Sequence, residues 1–228
     1  MKVLKDLFNI FYPDLCAVCE QQLVTNETTI CTSCRHDLPL TNFTDYKNNK
    51  VTQTFYGKVI IDKGYSLLFY RKEGITQKLM QELKYRNNEE IGVFFGNWIG
   101  KMLQENQEFN KIDYIIPVPL HPKKFRERGY NQVTKFGEKL SEHLEIPFVE
   151  YNLVRISATK TQTLKERFER FKNVDTKFLL KNPEKFKNKN ILLIDDIITS
   201  GATLEACAKE FLKSSNCTIS ILTMAYTE

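Results

Sequence analysis

Glycine and long apolar runs are scarce in this sequence. Nine of its 228 residues are glycine, and no two of them have the G-x-G spacing that opens a dinucleotide-binding loop. A Walker A loop is absent as well. No apolar run approaches the roughly 18–20 residues of a membrane helix, and Lys5 and Asp6 interrupt the first apolar stretch, unlike a signal peptide. The common nucleotide-binding loops are therefore excluded, and we expect no membrane span.

The composition predicts a folded protein. Hydrophobic residues make up 42% of the chain, which is enough for a packed core. The length suits one ordinary domain with a small module. We place the boundary after residue 53: residues 1–53 hold an amphipathic helix over 2–11, a cysteine module and a polar linker over 41–53, and residues 54–228 form the larger domain.

The net charge of +5 is unevenly distributed. Residues 111–190 contain 18 Lys and Arg against 10 Asp and Glu, a net charge of +8, and the rest of the chain has a net charge of −3. An anionic ligand would explain this basic stretch, and so would a solvated helix face. The charge alone does not decide between the two.

The apolar periodicity predicts an α/β fold with a largely parallel sheet. From residue 112 onward strands alternate with helices, and the apolar run Ile191–Ile194 is typical of a strand buried on both faces. Before that point we expect a strand hairpin over residues 59–70, then helices near 75–83 and 89–105. Gly92, Gly96 and Gly100 give the second helix a narrow face for close packing.

Four cysteines form two C-x2-C pairs near the start of the chain, Cys16 with Cys19 and Cys31 with Cys34. Two such turns can surround one metal ion, and four thiolates close its coordination shell. We predict a structural Zn²⁺ site, with a redox C-x2-C pair or an iron–sulfur cluster as alternatives. Cysteines of this kind indicate a reducing, cytoplasmic setting. Cys207 and Cys217 are interpreted as core thiols.

An acidic pair and a hydroxyl-rich loop follow the apolar run at 191–194. Ligands of parallel sheets bind beyond the carboxyl ends of the strands, where Asp195 and Asp196 stand. Adjacent carboxylates can accept hydrogen bonds from a vicinal diol such as ribose. The loop that follows has backbone amides and hydroxyls suited to a phosphate and leads into a helix: Thr199, Ser200, Gly201, Ala202 and Thr203. The segment indicates a site for a ribose 5-phosphate group.

This segment resembles the phosphoribosyl pyrophosphate (PRPP) motif of type I phosphoribosyltransferases. The chain as a whole resembles the ComF family, whose members combine a phosphoribosyltransferase-like domain with an N-terminal zinc finger. The resemblance rests on the four cysteines, residues 81–85, 116–122 and 126–132, and the acidic pair. Two departures keep the chemistry: Tyr130 and Ser200 stand where the family usually has Phe and often has Thr.

The resemblance implies a type I phosphoribosyltransferase-like fold, PRPP or a related ligand bound with Mg²⁺, and a role in DNA uptake or natural transformation. It also implies single-stranded DNA as a partner, together with helicase or channel proteins of DNA uptake. The acceptor of any transfer reaction is not identifiable. Whether the chain is an active phosphoribosyltransferase therefore stays open.

A proline-stiffened basic loop follows the strand predicted at 113–118. A rigid turn followed by cations suits pyrophosphate or a nucleic acid backbone. By the resemblance, the pyrophosphate loop comprises Pro119, Leu120, His121, Lys123 and Lys124. The predicted nucleic-acid contacts are Lys123, Lys124, Arg126, Arg128, Tyr130 and Arg170. For His121, a role in capping the turn is an equal alternative.

The end of the helix near residues 75–85 carries Lys84, Tyr85 and Arg86. These side chains could reach the ligand from the hood side of the site. The alternative, which the sequence favours, is that Tyr85 packs and the two cations are solvated.

Overall fold

The computed structural model describes residues 13–156 and 177–228. The helix expected over 2–11, and Arg170 with the charged stretch around it, lie outside the described residues. The helices are α1 (Thr32–His36), α2 (Lys50–Gln53), α3 (Ile75–Tyr85), α4 (Glu90–Glu105), α5 (Pro122–Arg128), α6 (Thr134–Leu144) and α7 (Ala202–Ser214). The strands are β1 (Lys63–Tyr70), β2 (Tyr114–Pro117), β3 (Leu153–Ile156), β4 (Lys177–Leu180), β5 (Asn190–Ile198) and β6 (Thr218–Thr227).

A parallel four-stranded sheet of order β1-β6-β5-β2 forms the centre of the fold. Alternate residues of β5 serve two hydrophobic cores. Leu192 and Ile194 pack with the buried residues of α3, α4 and α6, whereas Ile191 and Leu193 pack with those of α7. Both faces of the strand are therefore apolar, which explains its continuous apolar run. The predicted α/β fold with a largely parallel sheet is confirmed; β3 and β4 add a separate antiparallel pair.

Helix α4 lies directly against α6 through its glycine face. A Cβ atom built on Gly96 would stand 2.6 Å from Lys139 Cβ, and one on Gly100 would stand 2.9 Å from His143 Cβ. Neither approach leaves room for a side chain. The spacing of four thus serves helix packing, as the sequence indicated.

The hairpin expected over residues 59–70 is wrong. Residues 59–61 form no strand, and β1 pairs in parallel with β6 at the other end of the chain. Tyr65 to Leu68 are buried at every position. Such a run belongs to a strand covered on both faces, and a hairpin arm with one solvated face would alternate instead.

The polar stretch 41–53 is folded structure and no free linker. Asn49 caps α2, where its side-chain oxygen accepts hydrogen bonds from the amides of Val51 and Thr52. Val51 and Thr52 are buried beside β1, and Cβ of Gly64 would meet Val51 at 2.7 Å. The residues of the capping box are polar, as loop residues are, so the sequence alone did not distinguish this segment from a linker. The boundary after residue 53 stays a prediction.

Candidate functional site

The acidic pair lies near the carboxyl end of the central strand β5. Strand β5 extends to Ile198, so that Asp195 and Asp196 belong to it, whereas the sequence predicted that they follow it. Each carboxylate accepts a hydrogen bond from the next amide: Asp195 Oδ1 from Asp196 N at 2.9 Å, and Asp196 Oδ1 from Ile197 N at 2.7 Å. One oxygen of each side chain is thereby fixed to the backbone, and the other is left for a further partner.

A cleft of about 380 Å³ opens at the carboxyl ends of β1, β2 and β5. This is the end of a parallel sheet at which ligands bind. The residues predicted for the site that line it are Pro119, Leu120, Lys124, Arg128, Asp195, Asp196, Thr199 and Thr203. The structure therefore brings the acidic pair, the proline loop and part of the hydroxyl loop together.

The hydroxyl loop surrounds a smaller cavity of about 40 Å³ that shares Asp195, Thr199 and Thr203 with the cleft. Ser200, Gly201 and Ala202 complete its lining on the loop side. The loop leads into α7, whose first amides have no partner within the helix and whose dipole favours an anion. All five residues predicted to hold a phosphate thus lie around one cavity beside the acidic pair.

Gly201 is needed in this loop for two reasons. Its φ of +75° is unfavourable for other residues, and its added Cβ would stand 2.8 Å from Thr54 Cγ2. Thr54 follows α2, so the segment beyond the cysteine module supports the loop. A side chain here would displace either the loop or this support.

Lys84 pairs with the acidic pair. Its Nζ lies 2.9 Å from Asp196 Oδ2, an atom that has no solvent contact and, among residues 13–156 and 177–228, no aligned hydrogen-bond donor. The two side chains are 21% and 7% exposed. The favoured interpretation of residues 84–86 is therefore wrong for Lys84. It is also wrong for Tyr85, which is 74% exposed, whereas Arg86 is solvated as expected.

The charges in the cleft change the acidity of Asp195. Burial and the neighbouring Asp196 carboxylate raise the pKa of Asp195 to about 8, against the opposing effect of the Lys84 and Arg155 cations. Near neutral pH Asp195 therefore holds a proton. Lys84 lies beside the other carboxylate of the pair, Asp196.

His121 acts as a helix cap. Its Nδ1 accepts a hydrogen bond from Lys123 N at 3.1 Å at the start of α5, where Pro122 occupies the first turn. This is the capping role that the sequence gave as an alternative. Lys123 points away into solvent, with its side chain 79% exposed and 3.9 Å from Glu127.

The other predicted nucleic-acid residues have different surroundings. Arg126 is exposed on α5. Arg128 donates a hydrogen bond to Gln132 Oε1 at 2.8 Å and stands 5.3 Å from the centre of the Tyr85 ring. Tyr130 is half-buried, and its hydroxyl donates to the Leu83 carbonyl, so it supports α3. Tyr85 is therefore a more open ring than Tyr130, and Phe125 on α5 is exposed as well.

Tyr70, Lys84, Gln132 and Arg155 also line the cleft, although the predicted site did not include them. Tyr70 ends β1, and that position at a carboxyl end was the signal that could have found it. The other three depend on how α3, α6 and β3 pack around the sheet.

The four cysteines come together as predicted. Their Sγ atoms all lie within 4.8 Å of one another, and Cys19 Sγ stands 3.7 Å from Cys31 Sγ. A tetrahedral ion with Zn–S bonds near 2.3 Å requires sulfur atoms about 3.8 Å apart. Cys16, Cys31 and Cys34 are buried, and Cys19 is exposed. The cluster fits a structural metal ion.

Backbone amides face the sulfur atoms as they do around thiolates. Cys16 Sγ accepts from Val18 N at 3.5 Å and from Cys31 N at 3.4 Å. Burial opposes ionisation of Cys16, but hydrogen bonds from the backbone amides of Cys19, Cys31 and Val18 lower its pKa to about 7. Burial raises the pKa of Cys34. Cys207 is fully buried and Cys217 half-buried, away from the cluster.

The comparisons with known proteins agree with this architecture. The family model "Phosphoribosyl transferase domain" matches residues 134–227, which carry the acidic pair and the hydroxyl loop. "Competence protein F" of Haemophilus influenzae is 30% identical over 137 residues, covering 58% of this chain and 59% of that protein. "Competence protein ComFC" of Bacillus subtilis is 27% identical over 144 residues, covering 63% and 56%.

"DNA utilization protein YhgH" of Salmonella typhimurium is 24% identical over 152 residues, covering 65% of this chain and 66% of that protein. The chain thus matches less than two thirds of the length of these relatives. Among solved structures, the glutamine PRPP amidotransferase of B. subtilis is 16% identical with a TM-score of 0.41, covering 62% of this chain and 30% of that one.

No helix of the described residues is long and apolar enough to cross a membrane. The matched family model, the parallel sheet flanked by helices and the four-cysteine cluster at residues 16–34 agree with one another. The chain is similar to competence proteins of the ComF family, and it combines a phosphoribosyltransferase-like domain with a four-cysteine module.

Proposed function

We propose that this chain binds PRPP or a related phosphoribosyl compound in the cleft, and that it acts in DNA uptake or natural transformation by binding single-stranded DNA. The proposal that the cleft binds a phosphoribosyl compound rests on residues that line both cavities. Asp195, Thr199 and Thr203 line both the 380 Å³ cleft and the small cavity of the hydroxyl loop. A diol site and a phosphate site in contact match a sugar phosphate.

Each group of the ligand has a partner in this proposal. Asp195 and Asp196 accept the ribose hydroxyls, and the amides and hydroxyls of residues 199–203 hold the 5-phosphate. Lys84 and Lys124 provide positive charge beside the pyrophosphate. Mg²⁺ that enters with PRPP would neutralise part of the phosphate charge, because hard cations prefer oxygen ligands.

Calorimetric titration of the purified protein with PRPP and Mg²⁺ tests this site. Replacing both acids (Asp195→Asn with Asp196→Asn) should abolish binding. The matched control is Asp62→Asn, since Asp62 is exposed and precedes β1 at the other end of the sheet. No binding to the native chain, or equal binding to the double variant, would contradict the proposal.

The proposed DNA role rests on the names of the relatives and on the basic surface beside the cleft. The names of those relatives refer to competence and DNA utilisation. Lys123 and Arg126 are exposed on α5, and Lys124 lines the cleft. Cations on one helix suit a phosphate backbone, and the exposed rings of Tyr85 and Phe125 beside them suit stacking of bases. A cytoplasmic location and contacts with uptake helicase or channel proteins belong to the same proposal.

A salt titration separates the two ligands. The affinity for single-stranded DNA should fall linearly on a plot of log K against log salt. Lys123→Gln with Arg126→Gln should lower the slope and leave PRPP binding unchanged, because neither side chain lines the cleft. Lys124→Gln should weaken both. A flat salt dependence would rule out phosphate contacts.

Transfer of the phosphoribosyl group to an acceptor is a second candidate function, and one observation favours it. A pocket of about 630 Å³ adjoins the cleft and shares Lys84, Lys124 and Arg128 with it, which leaves room for an acceptor. Departure of pyrophosphate would leave positive charge at the anomeric carbon, and catalysis would consist of positioning and electrostatic stabilisation. Pyrophosphate release from PRPP in the presence of candidate acceptors tests this activity.

A further inference from the structure

A groove of about 670 Å³ separates the four-cysteine module from helix α4. Phe94, Trp98 and Met102 line it at intervals of four residues, so they share one face of α4. All three are only half-buried, although α4 is otherwise a core helix. Arg35 of the module lies 4.6 Å from the centre of the Trp98 ring. The groove thus presents an apolar face with charged residues beside it.

We propose that this groove is the docking site of residues 1–12 of the same chain. The sequence of that segment places Val3, Leu4, Leu7, Phe8 and Phe11 at helical spacing, which requires an apolar partner. The face of α4 has the same spacing and needs a cover. This assignment is independent of the proposed function, because the groove shares no lining residue with the cleft.

The chain enters the module beside this groove. Ala17 N donates a hydrogen bond to the Thr29 carbonyl at 3.0 Å, and Thr29 lines the groove, where its hydroxyl donates to the Glu90 carbonyl at 3.4 Å. The chain from Pro13 to Ala17 spans at most about 14 Å. A helix of twelve residues is about 18 Å long, and α4 measures about 22 Å from Glu90 to Glu105. The segment therefore reaches the groove and fits its length.

The charges of the segment and the groove are complementary in the orientation that this connection imposes. With residue 12 near Glu90 and residue 1 toward Glu105, Asp6 lies toward Lys101 and Lys2 toward Glu105. Lys101 and Glu105 both line the groove. The opposite direction would need the connecting residues to cross the whole groove first.

Trp98 is the one tryptophan of the sequence and reports directly on the cover. The test compares Leu7→Asp with the matched control Asn9→Asp, since residue 9 lies on the face of the helical wheel opposite residue 7. We expect Leu7→Asp to shift the Trp98 emission to longer wavelength and to increase its quenching by acrylamide. Asn9→Asp should match the native chain. Circular dichroism checks that each variant is folded, and Leu7→Ala gives a milder change if Leu7→Asp is not.

Hydroxyl-radical labelling of Trp98 and Met102 supplies a second measurement in the same full-length variants. Protection of both side chains that is lost in Leu7→Asp or Leu7→Ala supports the proposal. Protection that depends on protein concentration would mean that a second copy covers the groove and would overturn it. Trp98 and Met102 labelled equally in all folded variants would overturn it too, and would leave the groove to another protein.

Discussion

Lys84 Nζ lies 2.9 Å from Asp196 Oδ2 and thereby connects the end of helix α3 to the central strand β5. The cation comes from one side of the cleft and the carboxylates from another. A ligand whose hydroxyls bind Asp196 must therefore share this carboxylate with Lys84 or displace it. In the second case the freed ammonium group would lie beside the ligand phosphates, where it has the right charge.

Lys84→Met should destabilise the protein. Breaking a buried ion pair leaves an uncompensated charge and costs about 3–5 kcal/mol, but Lys84 is partly exposed and we expect about 2 kcal/mol. Urea unfolding at neutral pH measures the loss. Arg86→Met is the control: the Arg86 side chain is 70% exposed and pairs with Glu82 at the surface, so its loss should cost about 0–1 kcal/mol. Equal effects of the two substitutions would contradict the role given to Lys84.

The raised pKa of Asp195 predicts a stability that falls as the pH rises. Between 3.8 and about 8 the folded state holds a proton that the unfolded state has lost. The contribution is complete below pH 3.8 and disappears as the pH passes 8, with a slope of at most about 1.4 kcal/mol per pH unit.

Asp195→Asn should remove that slope, because the amide resembles the protonated acid and does not titrate. The measurement is a series of urea unfolding curves from pH 5 to about 9, with Asp62→Asn as the control that keeps the native slope. If Asp195→Asn and the native chain have parallel curves, the raised pKa of Asp195 is wrong.

The sequence predicted the parts of this site that are determined by residues adjacent in the chain. The run at 191–194 identifies β5, and the rule that ligands bind at carboxyl ends then places Asp195 and the hydroxyl loop. The cap formed by His121 is local too, since it stands directly before Pro122 at a helix start. Lys84 was named as a possible ligand contact, but the sequence favoured a solvated side chain. Its direction depends on how α3 packs against the sheet, and no local pattern contains that information.

The glycine face of α4 yields a prediction about packing. Gly96→Ala adds a Cβ only 2.6 Å from Lys139 Cβ and 2.9 Å from the Phe136 carbonyl, so α4 and α6 must separate. Overpacking of this kind costs about 1–3 kcal/mol, which exceeds the gain of up to about 1 kcal/mol in helix propensity.

Gly92→Ala is the matched control on the same face, since its nearest contacts are 3.3 and 3.4 Å. There the gain in propensity and the small displacement should nearly cancel. Thermal unfolding of both variants measures the difference. A stabilised Gly96→Ala variant would show that the two helices adjust without cost.

The four-cysteine cluster predicts a bound metal ion that stabilises the module. Its short stretch has few apolar residues, so the ion must supply much of the folding free energy. Elemental analysis of the purified protein should find one zinc per chain, and Cys34→Ser should lose it together with thermal stability. Cys217→Ser is the matched control, because Cys217 lies outside the cluster and is half-buried.

Iron with visible absorption would identify an iron–sulfur cluster instead, and no metal with a Cys16–Cys19 disulfide would identify a redox pair. Only the zinc result would combine a closed shell with a purely structural role, because four thiolates leave no open position for chemistry.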